Sequence, residues 1–282
     1  MREHLKNKRY KAMGVLNVTP NSFSEASLNN DIVIDYNSLS KWSDIIDIGA
    51  ESTAPMNKPI DAKEELSRLE YLFAKIYKGI PFDRISIDTY RPEVFYEVYL
   101  WFKTYWPATK LIWNDVSGCV DSDCLSLLKE CPDIEYVLCH NLVPNRDSTS
   151  YHMNYALENF GITKEVFEFF NERCERLKDY NVILDLCFGF AKTREQNYRL
   201  FKNMRSFINQ FNQYQHLIGI SRKSFLRFEP VNNSKSDFNK QHLDALQAMV
   251  MHELDLNSPQ IIYRVHNPNS FLLWDHFLEL GL

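Results

Sequence analysis

Two adjacent cations, Arg222 and Lys223, close an otherwise apolar run, "HLIGISRK". Seven further short apolar runs end in a similar way, in residues able to bind or move charge. In chain order they supply Asn17; Asp47, Glu51, Ser52 and Thr53; Asp88; Asn114 and Asp115; His140; Asp185; and finally Arg264 with His266. A single polar residue in an apolar run is ordinarily a satisfied core group. The same polarity at the same end of every run is too costly to bury unless the groups bind one another or a ligand. Arg222, Lys223, Arg264 and His266 form a cationic set suited to an anion. Ser224 and Phe225 would add backbone N–H groups if a helix starts there. Asp88, Asn114 and Asp185 form a second set. A carboxylate accepts from two adjacent ring donors and an amide offers one donor and one acceptor, so this set suits a flat heterocycle with N–H groups and a carbonyl. The same carboxylates could act as general acids or bases, and spacing does not separate the two roles. The competing reading of both sets is an internal ion-pair network joining the cations to Asp88 and Asp185.

The elements that must position these groups follow from periodicity. The runs KAMGVLNV, IIDIGAES, RISIDT, KLIWNDVS, EYVLCH, VILDLCFGF, HLIGISRK and QIIYRVH are short and rich in β-branched residues, and read as strands. Between them lie segments of helical period. "DAKEELSRLEYLFAKIY" puts Leu66, Leu69, Leu72, Phe73 and Ile76 on one face, and "TKEVFEFFNERCERLKDY" and "REQNYRLFKNMRSFINQF" repeat the spacing. "RPEVFYEVYLWFK" carries its proline near the first helical position, where a missing N–H costs least. Eight strand–helix units in one uninterrupted chain predict an α/β fold, a (β/α)8 TIM barrel forming a single domain; an open doubly wound sheet is the alternative. In such barrels chemistry sits at the carboxyl ends of the strands, and strands seven and eight often build a phosphate site. The polar loops "NVTPNSFSEAS" and "ESTAPMNKPID" after strands one and two read as lid candidates, with Phe23 as an apolar contact in the first.

Composition narrows the partners. The 282 residues are 45% hydrophobic and carry a net charge of −5, with no charge block that would mark a nucleic-acid footprint. A small-molecule partner is expected, with no nucleic acid and no membrane, since no run approaches transmembrane length and "MREHLKNKRYKAMG" has no apolar leader core. Six cysteines without zinc spacing read as free thiols of a reducing cytoplasm. His140, His152, His216 and His242 lack metal-binding spacing and are expected at the surface or hydrogen-bonded.

Taken in order, the motifs resemble those of the dihydropteroate synthases, the pterin-binding barrels of folate synthesis. "MGVLNVTPNSFS" is similar to that family's first-strand signature and "DIGAEST" to its second; "SIDT", "NDVSG", "GFAKT", "ISRKSF" and "RVH" follow in the family's order. The resemblance spans about residues 11–267 and leaves 1–10 as an N-terminal extension. It implies a transferase that joins 6-hydroxymethyl-7,8-dihydropterin diphosphate to 4-aminobenzoate, releases pyrophosphate, uses Mg²⁺ and is a target of sulfonamides. It implies that Thr53, Asp88, Asn114, Asp185 and Lys223 hold the pterin, with Asp185 on the 2-amino and ring N–H edge. Asn17, Arg264 and His266 would take the diphosphate, with Asn17 also a ligand of Mg²⁺. Phe23, Pro55, Arg222 and Ser224 would border the aminobenzoate. Asp88, Asp185, Lys223, Arg264 and His266 carry the catalytic expectation. A cytoplasmic homodimer is implied, with "LDALQAMVMHEL" and "FLLWDHFLEL" as candidate faces.

The chain also departs from the family's pattern. Asn21 stands where an aspartate is usual, and Ala54 replaces an arginine that would assist the diphosphate, with Lys58 nearby as a substitute. "DLCFGFAKT" stands for "DPGIGFGKT", and Asn267 follows "RVH" where aspartate is usual. Two rival functions follow: a pterin-binding paralogue or methyl-folate methyltransferase, and a Schiff-base aldolase built on Lys223.

Overall fold

The structure, a computed structural model, describes residues 9–18, 31–51, 58–77, 83–156, 161–226, 245–252 and 258–279. Eight strands alternate with helices along the chain. They are β1 (Lys11–Asn17), β2 (Ile45–Gly49), β3 (Arg84–Asp88), β4 (Lys110–Asp115), β5 (Glu135–Cys139), β6 (Asn181–Asp185), β7 (Gln215–Ile218) and β8 (Ile261–Val265). All pair in parallel in sequence order, and β1 closes on β8 through the Lys11↔Ile262 register, so the sheet is a barrel and not an open doubly wound layer. The described helices are α1 (Asp31–Leu39), α2 (Ala62–Ile76), α3 (Pro92–Tyr105), α4 (Ser122–Glu130), α5 (Ile162–Arg176), α6 (Arg194–Gln210), α7 (residues 245–252) and α8 (Pro268–Glu279).

Strand periodicity of two sorts the side chains. On β2 and β3, Ile46, Ile48, Ile85 and Ile87 face outward into the layer shared with the helices, which also receives Leu69, Leu72 and Phe73 from α2. The alternate positions fill the barrel, where Met13, Ile45, Ile112, Val137, Ile183, Leu217 and Ile262 form an apolar plug. Two residues further along those strands the inward positions turn polar, at Asp47, Asn114, Asp185 and Arg264. The opposite end is tied by Arg84 of β3, which donates to both carboxylate oxygens of Glu135 at 2.7 and 2.8 Å and to Gln215 at 3.1 Å.

Local signals fix the helix starts. Asp61 and Asp121 cap α2 and α4 by accepting from the third residue beyond, and Thr193 with Gln196 forms a capping box at α6. Gly118 turns the chain after β4 at φ +67°, and a Cβ there would stand 2.4 Å from the Cys139 carbonyl oxygen. Two strands are shorter than their apolar runs. β7 ends at Ile218, four residues before Arg222, and β6 ends at Asp185 although the run continues to Phe190. Among the described residues a 3₁₀ segment (Ser224–Leu226) follows the cations. The polar excursion after β5 contains a 3₁₀ segment, Arg146–Tyr155, anchored where Arg146 donates to Asp115 at 2.8 Å and to Asp121 at 3.1 Å. Among the described residues no helix is long and apolar enough to cross a membrane.

Candidate active site

The polar strand ends open into one cavity of about 710 Å³. Asn17, Asp88, Asn114, Asp185, Arg222, Lys223, Arg264 and His266 all line it, so eight of the twelve expected site residues meet there. Phe23, Thr53 and Pro55 lie outside the described residues, as do Asn21 and Ala54, and the side chain of Ser224 is likewise undescribed. Lys58 is described and exposed.

The cavity floor is organised by a residue to which the sequence attaches no specific role. Asp47 is fully buried and accepts from Arg264 Nε at 2.6 Å, Ser86 Oγ at 2.6 Å and Asn114 Nδ2 at 3.2 Å. Arg264 Nη2 meets Asp88 Oδ2 at 2.7 Å. Burial works against the Arg264 charge, but Asp47 and Asp88 outweigh it and hold its pKa above the ordinary arginine range. Arg264 is thus already paired with two carboxylates, and the ion-pair reading of the cationic set holds for this residue, with Asp47 in place of Asp185 as its second partner. Burial, then the Asp47 charge, pushes the Asp88 carboxyl up to about 7. His266 is not a cation. Burial and the neighbouring Arg264, Arg222 and Lys223 push its pKa down to about 3, and its Nδ1 lies 3.1 Å from Ser221 Oγ. It offers a neutral imidazole.

Asp185 sits across the cavity. Its Oδ1 accepts from the Cys187 backbone N–H at 2.7 Å and its Oδ2 from the Cys139 thiol at 3.8 Å. Burial raises its pKa, opposed by that N–H and by Lys223, Arg264 and Lys192. Burial lowers the Lys223 pKa, and its ammonium lies 5.0 Å from the Phe190 ring centroid. Phe190 stacks on His152 with centroids 4.2 Å apart, which makes an aromatic wall. Lys192 lines the cavity but spends its ammonium on the loop. Its Nζ donates to the carbonyls of His140, Phe190 and Cys187 at 2.8, 2.9 and 3.0 Å, and burial brings its pKa down to about 8. Those three bonds pin the loop from β6 to α6, which bends through left-handed backbone at Cys187 (φ 51°) and Ala191 (φ 48°). Arg222 is left-handed as well, at φ 58°, so three non-glycine residues around one cavity hold sparsely populated conformations.

The structure adds His152, Met153, Phe190, Asn197 and Ser221 to the cavity wall. His152 and Met153 come from the polar excursion after β5, which has no periodicity to direct them inward. His140 is fully buried against Phe169 and Phe170, and neither ring nitrogen has a hydrogen-bond partner among the described residues. His152 and His216 are also buried, with ring nitrogens near Ala191 N–H and the Phe211 carbonyl, and His242 lies outside the described residues.

A closed eight-stranded barrel with a carboxylate–amide set and a cationic set at one mouth defines a class: barrel enzymes that grip a planar ring and an anion together. Comparison with known proteins makes the class specific. The profile of the pterin binding enzymes matches residues 13–266, and this chain belongs to that family. It is 31% identical over 224 residues to a dihydropteroate synthase from Clostridium beijerinckii, across 76% of this chain and 75% of that one. It is 30% identical to the dihydropteroate synthase of Bacillus subtilis, across 76% and 70% of the two chains. A dihydropteroate synthase structure from Clostridium difficile, solved in the presence of pteroic acid, superposes with a TM-score of 0.74 over 97% of each chain at 26% identity.

Proposed function

We propose that this chain is a dihydropteroate synthase, joining 6-hydroxymethyl-7,8-dihydropterin diphosphate to 4-aminobenzoate in folate biosynthesis. The observation that carries the reading is the meeting of Asp88, Asn114, Asp185 and Lys223 with Asn17, Arg222, Arg264 and His266 in one cavity. Asp185 keeps lone pairs for the 2-amino and ring N–H edge of the pterin, because its two present hydrogen bonds occupy only part of its capacity. Asn114 is oriented by Asp47, and its amide oxygen, without a partner among the described residues, would be available to ring donors. Arg264 stays ordered through Asp47 and Asp88, and its partly neutralised charge with Lys223 and Arg222 favours a departing diphosphate. His266, neutral, serves as a hydrogen-bond partner and not as a counter-charge.

The donor set fits Mg²⁺ only as a substrate-borne ion. Asn17 lines the cavity and would offer one neutral amide oxygen, and magnesium would take its remaining ligands from phosphate oxygens and water. When bound, Mg²⁺ neutralises charge on the leaving group. The C–O bond to the diphosphate breaks, the arylamine nitrogen bonds to the methylene carbon, and a proton leaves that nitrogen. Phe190 and His152 wall the ring from water. Sulfonamides, as competitors for the 4-aminobenzoate position, are expected inhibitors.

A homodimer is part of the same reading, supported by exposed Met249 on α7 and exposed Leu273, Trp274 and Phe277 on α8. Six free thiols, five of them buried, support a reducing cytoplasm. Titration calorimetry of the pterin with and without its diphosphate tests the reading. The diphosphate form should bind at least tenfold more tightly in Mg²⁺; equal affinity would favour a methyl-folate-type enzyme, which has no diphosphate to hold.

A further inference from the structure

The thiols of Cys139 and Cys187 and a carboxylate oxygen of Asp185 all lie within 4.8 Å of one another, buried around the base of the cavity. Cys139 and Asp185 are register partners on β5 and β6, so two parallel strands bring their side chains together on the inner face. Cys187 reaches the same point from the loop, through left-handed backbone (φ 51°) that is unfavourable for an L-residue and that glycine would adopt freely. A tetrahedral ion with bonds of about 2.3 Å to sulfur and about 2.0 Å to oxygen holds its ligand atoms roughly 3.5–3.8 Å apart. The Cys139 Sγ to Asp185 Oδ2 separation is already 3.8 Å. Asp185 and Cys187 line the cavity, which gives an ion an entry path and leaves its fourth position open to water.

We infer that Cys139, Asp185 and Cys187 form a site for a divalent ion of the zinc class, separate in place and chemistry from the Mg²⁺ expected near Asn17. Two thiolates and one carboxylate select zinc-like ions over hard magnesium. A divalent ion that displaces two thiol protons leaves the net charge of the site unchanged. Because the ion takes Asp185, it competes with the pterin, a consequence that rests on the function proposed above. Zinc-class ions then act as inhibitors of the synthase, through a thiol pair at the back of the ring site.

Cobalt(II) titrated into reduced, metal-free protein tests the site directly. One cobalt per chain should appear with a thiolate-to-metal charge-transfer band, and zinc should abolish the band. Cys187→Gly, which relieves the left-handed backbone and so keeps the fold, should weaken cobalt binding at least tenfold; Cys139→Ser should do the same. No thiolate band, or a band of unchanged affinity in Cys187→Gly, overturns the site. The pterin is then titrated into metal-free and zinc-loaded protein. Binding only to the metal-free form supports competition, and equal binding to both overturns it. Failure of the pterin to bind even metal-free protein counts against the proposed function, while the cobalt band still decides the site.

Discussion

Replacing Asp47 by asparagine removes one charge from the floor of the cavity and almost no volume. In the structure this carboxylate is fully buried and takes hydrogen bonds from Arg264, Ser86 and Asn114. An asparagine keeps one oxygen but turns the other into a donor, which meets the Arg264 Nε or the Asn114 amide head-on. Breaking a buried ion pair from one side costs about 3–5 kcal/mol, because the partner charge stays behind unpaired. Asp88 retains part of Arg264's compensation through its 2.7 Å bond, so the lower end, about 3 kcal/mol, is expected. For a chain of this size that corresponds to a fall in Tm of roughly 5 °C. Chemical denaturation gives the free energy. A double-mutant cycle with Arg264→Met gives the coupling, which should exceed about 1.5 kcal/mol, with the double variant more stable than Asp47→Asn alone. A loss under about 1 kcal/mol, or strict additivity, would refute the assignment of Asp47 as the anchor of Arg264.

Gly118→Ala forces a Cβ to within 2.4 Å of the Cys139 carbonyl at a positive φ, and should cost about 2–4 kcal/mol in denaturant unfolding; a neutral result would show that the turn after β4 relaxes freely. Lys192→Met leaves three loop carbonyls without their donor and should destabilise by about 2–4 kcal/mol while weakening pterin affinity; stability loss without loss of affinity would mean the loop does not set the ring site. Pterin affinity should fall as pH drops through about 7, because burial and Asp47 raise Asp88 to that value and protonation turns one of its two acceptor oxygens into a donor that opposes ring N–H groups. Below that point the slope should approach roughly tenfold per pH unit. It should vanish in Asp88→Asn, and a flat profile in the unsubstituted protein would refute the role of the Asp88 carboxylate.

The barrel could be read from the chain because its strands are buried on both faces. Runs such as IIDIGAES and KLIWNDVS begin with consecutive apolar residues after any charged first residue, and turn polar at Asp47 and Asn114 as they approach the mouth. The convergence of Asp88, Asn114, Asp185, Lys223 and Arg264 followed from that rule. The rule locates a group along a strand but not its partner across the barrel. Asp47 and Arg264 are 217 residues apart, and their pairing depends on inward register on β2 and β8. The same limit hid the charge state of His266, whose pKa is lowered first by burial and then by the cations that the fold brings beside it. Chain ends of strands were overrun for a related reason. Leu186, Cys187 and Phe188 are as apolar as a strand and fully buried, yet they pack as a loop over the barrel, held by Lys192. His152 and Met153 reach the cavity from a segment with no repeating pattern, tied down by Arg146 to Asp115.

The most direct measurement is turnover by purified protein supplied with Mg²⁺, 6-hydroxymethyl-7,8-dihydropterin diphosphate and 4-aminobenzoate. Pyrophosphate and dihydropteroate should form in equal amounts, and Asp185→Asn should lower the rate at least a hundredfold. Protein that binds the pterin yet releases no pyrophosphate, or an Asp185→Asn variant as active as the unsubstituted chain, would contradict the account.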